Sequence, residues 1–167
     1  MSGVGKVAGR EAGREMQAVV FSLGDQFYAA DIGDVLEIIL PEAVTRVPGA
    51  PAFMEGVINL RGRVIPVIDL AGRFGLEKKG GRTERSKIVV VETGKTTFGV
   101  FVDDVAEVVR FSAGQIKPPP EMIAGSGGAG TYVKGIILAK ERLIVLLDVR
   151  RLLSEGEEEA LEKAAGF

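Results

Sequence analysis

What chemistry this chain can do is limited first by what it lacks. Its 167 residues include no histidine and no cysteine. Ser-His and Cys-His nucleophile pairs, His or Cys metal centres, disulfides and phosphohistidine transfer are excluded. Carboxylates, lysines and hydroxyls remain. Outside the C-terminal tail the tight carboxylate pair is Asp103-Asp104, and a catalytic dyad needs two carboxyls in one site with their pKa values pushed apart. This pair follows a strand pattern over 96–102, where adjacent residues face opposite ways. A strand end or cap explains it better, and Asp31 and Asp34 hold a related place earlier in the chain. The expectation is no catalytic residue, no metal and no cofactor.

The chemistry that is present is recognition. Residues 56–70 read GVINLRGRVIPVIDL. Two β-branched apolar runs flank Arg61-Gly62-Arg63, the pattern of a β-hairpin with Gly62 free to take φ > 0. Arg61 at the tip offers a fixed fork of donors, suited to a carboxylate or a carbonyl-rich helix end on another chain. The alternative is internal, with Arg61 paired to Glu37 or Glu55 and simply holding the turn. Asn59, the only asparagine, is better suited to locking the hairpin backbone than to touching a partner. Asp69 closes the second strand, where its side chain can cap a short helix over 70–74. Val35, Glu37 and Ile38 alternate around one strand, and Val105, Glu107 and Val108 copy them. On periodicity alone the valines belong to the core.

The elements that place these residues come as a repeat. Gly56, Arg63, Ile65 and Asp69 recur 79 positions on as Gly135, Arg142, Ile144 and Asp148. Val20, Gly24, Tyr28, Val35 and Glu37 recur 70 positions on as Val90, Gly94, Phe98, Val105 and Glu107. The first unit reads as strands over 17–23, 26–31, 35–39, 56–60 and 64–68. The second reads as strands over 87–92, 96–102, 105–110, 133–138 and 143–147. Five short strands and a closing helical turn predict a small barrel. Each unit is too small to be stable alone, so the two must pack together or exchange strands.

Breakers fall between these units. Pro41, Pro48 and Pro51 keep 40–51 irregular. The Lys-Gly-Gly stretch at 78–81 reads as a solvated loop, without the flanking glycine and hydroxyl of a P-loop. Pro118-Pro119-Pro120 reads as a rigid link, and 125–130 (GSGGAG) as a loop without the strand and helix that phosphate binding needs. Residues 1–16 are read as a disordered tail. In 154–167, Ser154 and Glu157 make a capping box, and Leu161 with a few alanines gives a short, weakly docked acidic helix. With 46% hydrophobic and 26% charged residues and a net charge of −2, the chain is an ordinary globular protein with no case for nucleic acid. No apolar run approaches the roughly 20 residues that cross a bilayer, and no signal-peptide pattern is present, so a cytoplasmic location is expected without membrane insertion.

The stretch Asn59-Leu60-Arg61-Gly62, followed by Val64-Ile65-Pro66-Val67 and Asp69-Leu70, resembles the signature of the CheW-like family, coupling proteins that link bacterial chemoreceptors to a histidine kinase. FSLGDQFYAADI (21–32), VLEII (35–39), PAFMEG (51–56), the hairpin over 87–102 and QIKPPPE (115–121) extend the resemblance to about 17–153. One difference is local. Many relatives place Arg directly after the Asp-Leu, where this chain has Ala71-Gly72 and brings its base at Arg73.

The resemblance implies an all-β fold of two similar five-stranded SH3-like β-barrels packed side by side, with short helical turns and a C-terminal helix. The first repeat covers about 17–76 and the second about 86–153. It implies a non-enzymatic scaffold that binds the kinase's regulatory domain and the helical tip of chemoreceptors, with ring-forming self-association among its surfaces. Val35, Glu37, Ile38, Gly56, Arg61, Gly62 and Val105 are the implied partner-binding residues. Asn59, Leu60, Pro66 and Asp69 are the structural members of the motif. An adaptor for another motility or sensory pathway is the alternative. From a different class, a small β-barrel enzyme or ligand carrier using Asp103, Asp104 and lysines is weighed as well.

Overall fold

The computed structural model describes residues 15–41, 44–76, 83–94, 96–118 and 132–165. Most of the N-terminal tail, the Lys-Gly-Gly stretch, Pro119-Pro120 and the 125–130 string lie outside the described residues.

The first half contains β1 (Glu15–Leu23), β2 (Gln26–Asp31), β3 (Val35–Ile39), β4 (Met54–Leu60), β5 (Arg63–Ile68) and the helical turn α1 (Leu70–Arg73). The second contains β6 (Lys87–Glu92), β7 (Thr97–Val102), β8 (Asp104–Ser112), β9 (Ile116–Lys117), β10 (Val133–Ala139), β11 (Arg142–Leu147) and helix α2 (Glu155–Ala165). Apart from β9, which no pattern announced, every strand lies within two residues of its sequence expectation. β1 starts inside the stretch read as a tail. Glu15 and Met16 sit opposite Ser112 and Phe111 of β8, so the ladder reaches further than apolar alternation does.

The strands form two sheets, one ordered β3-β6-β7-β5-β4 and the other β8-β1-β2-β11-β10-β9. These are the two SH3-like barrels. Neither is built from one repeat. The β1–β2 hairpin of the first half lies between β8 and β11 of the second, and the β6–β7 hairpin lies between β3 and β5 in return. Each exchanged hairpin joins its host sheet on one side through a short parallel ladder, β2 with β11 and β7 with β5.

Period-two alternation then sends successive side chains into different cores. On β6, Ile88 and Val90 enter the interior of the five-stranded barrel with Ile58, Ile65 and Val67. Val89 and Val91 face the other way, into a joint between the barrels shared with Phe21, Leu23, Tyr28, Phe98, Val100, Leu147 and Leu161. On β2, Ala29 enters the second barrel's interior with Ala18, Val20, Ile137 and Ile144, while Tyr28 and Ala30 face the joint. Burial on both faces is why several strands read as nearly continuous apolar runs. The joint also holds an aromatic series, Phe21 to Tyr28 to Phe74 to Tyr132, with centroid separations of 6.2, 5.2 and 5.2 Å. Among the described residues, no helix is long and apolar enough to cross a membrane.

Candidate functional site

The five-stranded sheet ends in β3 on one side and β4 on the other. Arg61, in the β4–β5 turn, and Glu37, on β3, meet across the seam between these edges. Arg61 Nη1 donates to Glu37 Oε2 at 2.5 Å, and Nη2 donates to Oε1 at 2.9 Å. Of the two internal partners considered for Arg61, Glu37 is the one it holds in this fork. The hydrogen bond from Arg61 keeps the Glu37 carboxyl below the usual carboxylate range, and the carboxylate in turn raises Arg61. The guanidinium nonetheless stays largely in solvent, its side chain 74% exposed.

The turn that presents it is tight. Leu60 pairs with Arg63, leaving a two-residue loop in which Arg61 has φ +54° and Gly62 has φ +88°. Two successive positive φ values are the type I′ geometry that suits the twist of the flanking strands. Gly62 N–H donates to Asn59 Oδ1 at 2.8 Å, so the side chain of Asn59 ties the turn to the strand before it. Leu60 packs against the barrel interior. Pro66 is buried opposite Val57, immediately before the β5–β7 ladder begins at Val67, where its missing N–H falls at the start of the pairing. Asp69 caps α1 by accepting from Gly72 N–H at 3.0 Å.

Gly56 is fixed by the chain that crosses it. Its φ is +155°, and a Cβ there would collide with the Thr45 carbonyl and stand 2.8 Å from Val44 Cγ1. That approach lets Thr45 N–H and Val57 C=O bond at 2.9 Å, continuing the sheet beyond β4. Gly135 repeats the arrangement under β9, where a Cβ would stand 2.5 Å from both Ile116 Cγ2 and the Lys117 carbonyl.

Around the ion pair the surface is apolar. Ile39, Leu40, Ile58 and Leu60 line a depression of about 360 Å³, with Asn59, Glu37 and Arg61 completing it. Leu36, Ile38 and Leu40 expose 46%, 40% and 62% of their surface. Val35 packs instead against the joint, and Val105 packs there too, as their 70-residue repeat requires. Glu37, Arg61 and Gly62 thus come together at the seam and Ile38 is exposed on the same β3 strand, while Val35 packs at the joint, Gly56 shapes β4, and Val105 packs at the joint from the other sheet.

The sequence reading missed the second barrel's counterpart. Glu107, the mate of Glu37, accepts from Lys140 Nζ at 2.5 Å and also from Arg142. The hydrogen bond from Lys140 leads the effects that hold it below the usual carboxylate range. Lys140 and Glu141 form a second turn with positive φ, +52° and +64°. The signal was available, because Arg61 and Lys140 differ by the same 79 positions as the motif residues. Asp103 and Asp104 do structural work. Asp103 Oδ2 accepts from Gly24 N–H at 2.6 Å, and Asp104 lies 3.7 Å from Arg85. No group of three or more metal-ligating side chains occurs among the described residues.

Comparison with known proteins agrees with this architecture. A family model described as a CheW-like domain matches residues 17–157. The chemotaxis protein CheW of Klebsiella aerogenes is 35% identical over 97% of this chain and 95% of its own length. Protein FrzA of Myxococcus xanthus is 30% identical over 92% and 94%. The crystal structure of the scaffolding protein TtCheW from Thermoanaerobacter tengcongensis superposes with a TM-score of 0.78 at 37% identity, covering 87% of this chain and 93% of that one. From its repeated barrels and its NLRG hairpin to these matches, the chain belongs to the CheW-like family.

Proposed function

We propose that this protein is a non-catalytic scaffold that couples bacterial chemoreceptors to the chemotaxis histidine kinase. The observation that carries the reading is the β3–β4 seam, where the exposed Arg61 guanidinium borders an apolar depression lined by Ile39, Leu40, Ile58 and Leu60. Exposed apolar surface rimmed by charge is what a protein-binding face needs. Arg61 spends two donors on Glu37 and keeps others for a partner carboxylate or helix end. The receptor's helical tip is assigned to the groove between the two barrels, with Val35, Glu37, Ile38, Gly56, Arg61 and Gly62 contributing to the contact or its shape from the first sheet and Val105 from the second. The kinase's regulatory domain takes a separate surface at the barrel ends. Repeated barrels can meet their opposites on neighbouring molecules, which gives ring-forming self-association a geometric basis. The location that follows is the cytoplasm, at membrane-associated receptor arrays.

Size-exclusion chromatography with light scattering tests this, mixing the protein with the kinase regulatory domain and with a receptor tip fragment, separately and together. Complexes with each, and a ternary complex with both, are expected. Binding to neither folded partner would overturn the assignment.

A further inference from the structure

Helix α2 is poor in everything that makes an isolated helix stable. Its sequence, EGEEEALEKAA, has one leucine and a glycine in the first turn, and 11-residue helices of such composition are marginal in water. It is folded because it is docked, and one side chain serves both ends. Glu157 Oε1 accepts from Ser154 N–H at 2.9 Å, while Ser154 Oγ accepts from Glu157 N–H at 3.1 Å, completing the capping box. The same carboxylate takes a bidentate fork from Arg73, at 2.6 and 2.7 Å.

The surface under α2 combines a cation with two rings. The Arg73 guanidinium lies 5.7 Å from the ring centroids of both Phe53 and Tyr132, its side chain is only 19% exposed, and its buried Nε has no hydrogen-bond partner. One turn further along α2, Leu161 is wholly buried in the joint between the barrels. Leu152 and Leu153 anchor the chain just before the helix, and Ser154 is exposed, which places the hinge there. If α2 left, Arg73 would stay between two rings with its anion gone, next to an open apolar socket. A half-buried cation without a counter-charge is an unfavourable state that a new carboxylate relieves.

We propose that α2 is a releasable strap, and that the slot beneath it is a docking site for an acidic amphipathic helix of a partner, one presenting glutamate and, four residues on, leucine. α2 is the occupant supplied in cis. The proposal is independent of the receptor and kinase assignments. Because Phe53 and Arg73 come from the first half and Tyr132 from the second, release also removes a brace across the joint.

The test uses the full chain and its Glu157→Gln and Leu161→Ala variants. Amide hydrogen exchange is expected to be slow in α2 of the wild type and at least about tenfold faster in both variants, with strand protection unchanged. A labelled peptide of residues 154–167 should then bind both variants at least about tenfold more tightly than it binds the wild type, and a peptide carrying Glu157→Gln should lose that binding. Rapid exchange of α2 in the wild type, or wild-type protection in both variants, would overturn the strap. Released α2 without peptide binding would overturn the docking slot. Loss of strand protection in both variants would make α2 part of the fold's core and overturn both.

Discussion

At Arg61 two demands meet on one residue. The first position of a type I′ turn favours Asn, Asp or Gly, because a side chain in the left-handed region costs about 1–2 kcal/mol. An arginine holds it here with φ +54°, and what it returns is the fork to Glu37 and a charge in solvent. Arg61→Asn should therefore keep the turn while removing both. We expect unchanged far-UV circular dichroism and a melting midpoint close to wild type, with receptor-tip affinity down about tenfold, the scale of one charge-assisted pair. A variant that melts far below wild type would assign Arg61 to the fold alone. Gly56 is the opposite case. Gly56→Ala forces a Cβ against the Thr45 backbone, which is not a flexible side-chain end. About 3 kcal/mol should be lost in urea denaturation, and somewhat less for Gly135→Ala, where the collision with Ile116 and the Lys117 carbonyl comes without a left-handed backbone. NLRG announced a turn with an arginine at its tip, and Asn59 was legible as its lock. That Arg61 itself takes positive φ was not, because a residue's backbone angle in a two-residue loop depends on the strand register around it. Gly56 looked like part of a motif, but the strand crossing over it is a long-range contact that no local pattern records.

Among the elements, α2 shows how a short sequence can mislead. One leucine and several alanines promise little burial, and the expected weak docking follows from that count. The count omits Arg73, 84 positions away along the chain, whose guanidinium supplies the anchor. Leu161→Ala should lower the local stability of α2 by about 2–4 kcal/mol, as for a fully buried leucine, read from α2 exchange. The pH dependence follows from Glu157. Burial pushes its pKa up, but hydrogen bonds from Arg73 and Ser154 outweigh that and hold it below the usual carboxylate range. A depressed folded pKa gives stability that is present above the unfolded value and lost as pH falls through the folded one. Protection of α2 should thus be flat near neutrality and fall in acid, below the ordinary glutamate range. Loss of protection on the alkaline side instead would contradict this sign. The sheets were legible for a simpler reason. Alternation and turn residues are local, so ten strands could be read directly, while β9, two residues long and paired with β10, left no period to detect.

For the molecule as a whole, the exchange of hairpins decides how stability is distributed. The repeat offsets of 70 and 79 revealed two copies, and small-unit size argued for packing or exchange. Which strands crossed was not readable, since either arrangement satisfies the same alternation. With β1–β2 in one barrel and β3–β5 in the other, neither half of the chain can keep its sheet without its mate. Unfolding should be a single cooperative transition. The chain has no tryptophan and only two tyrosines, Tyr28 and Tyr132, and both line the joint. Tyrosine fluorescence therefore reports the joint and far-UV circular dichroism the sheets, and their urea midpoints should coincide. An earlier fluorescence transition would mean that the barrels part before they unfold.

The same exchange sets an order in time. On the ribosome β1 and β2 emerge first, yet Val19 lies opposite Val108 and Phe27 opposite Ile144. The first hairpin to be made therefore waits with both edges unpaired, and the β6–β7 hairpin can complete the other barrel before it. Long-range pairing of this kind slows folding and leaves strand edges open to the wrong neighbour. The barrel begun first is the last to be finished.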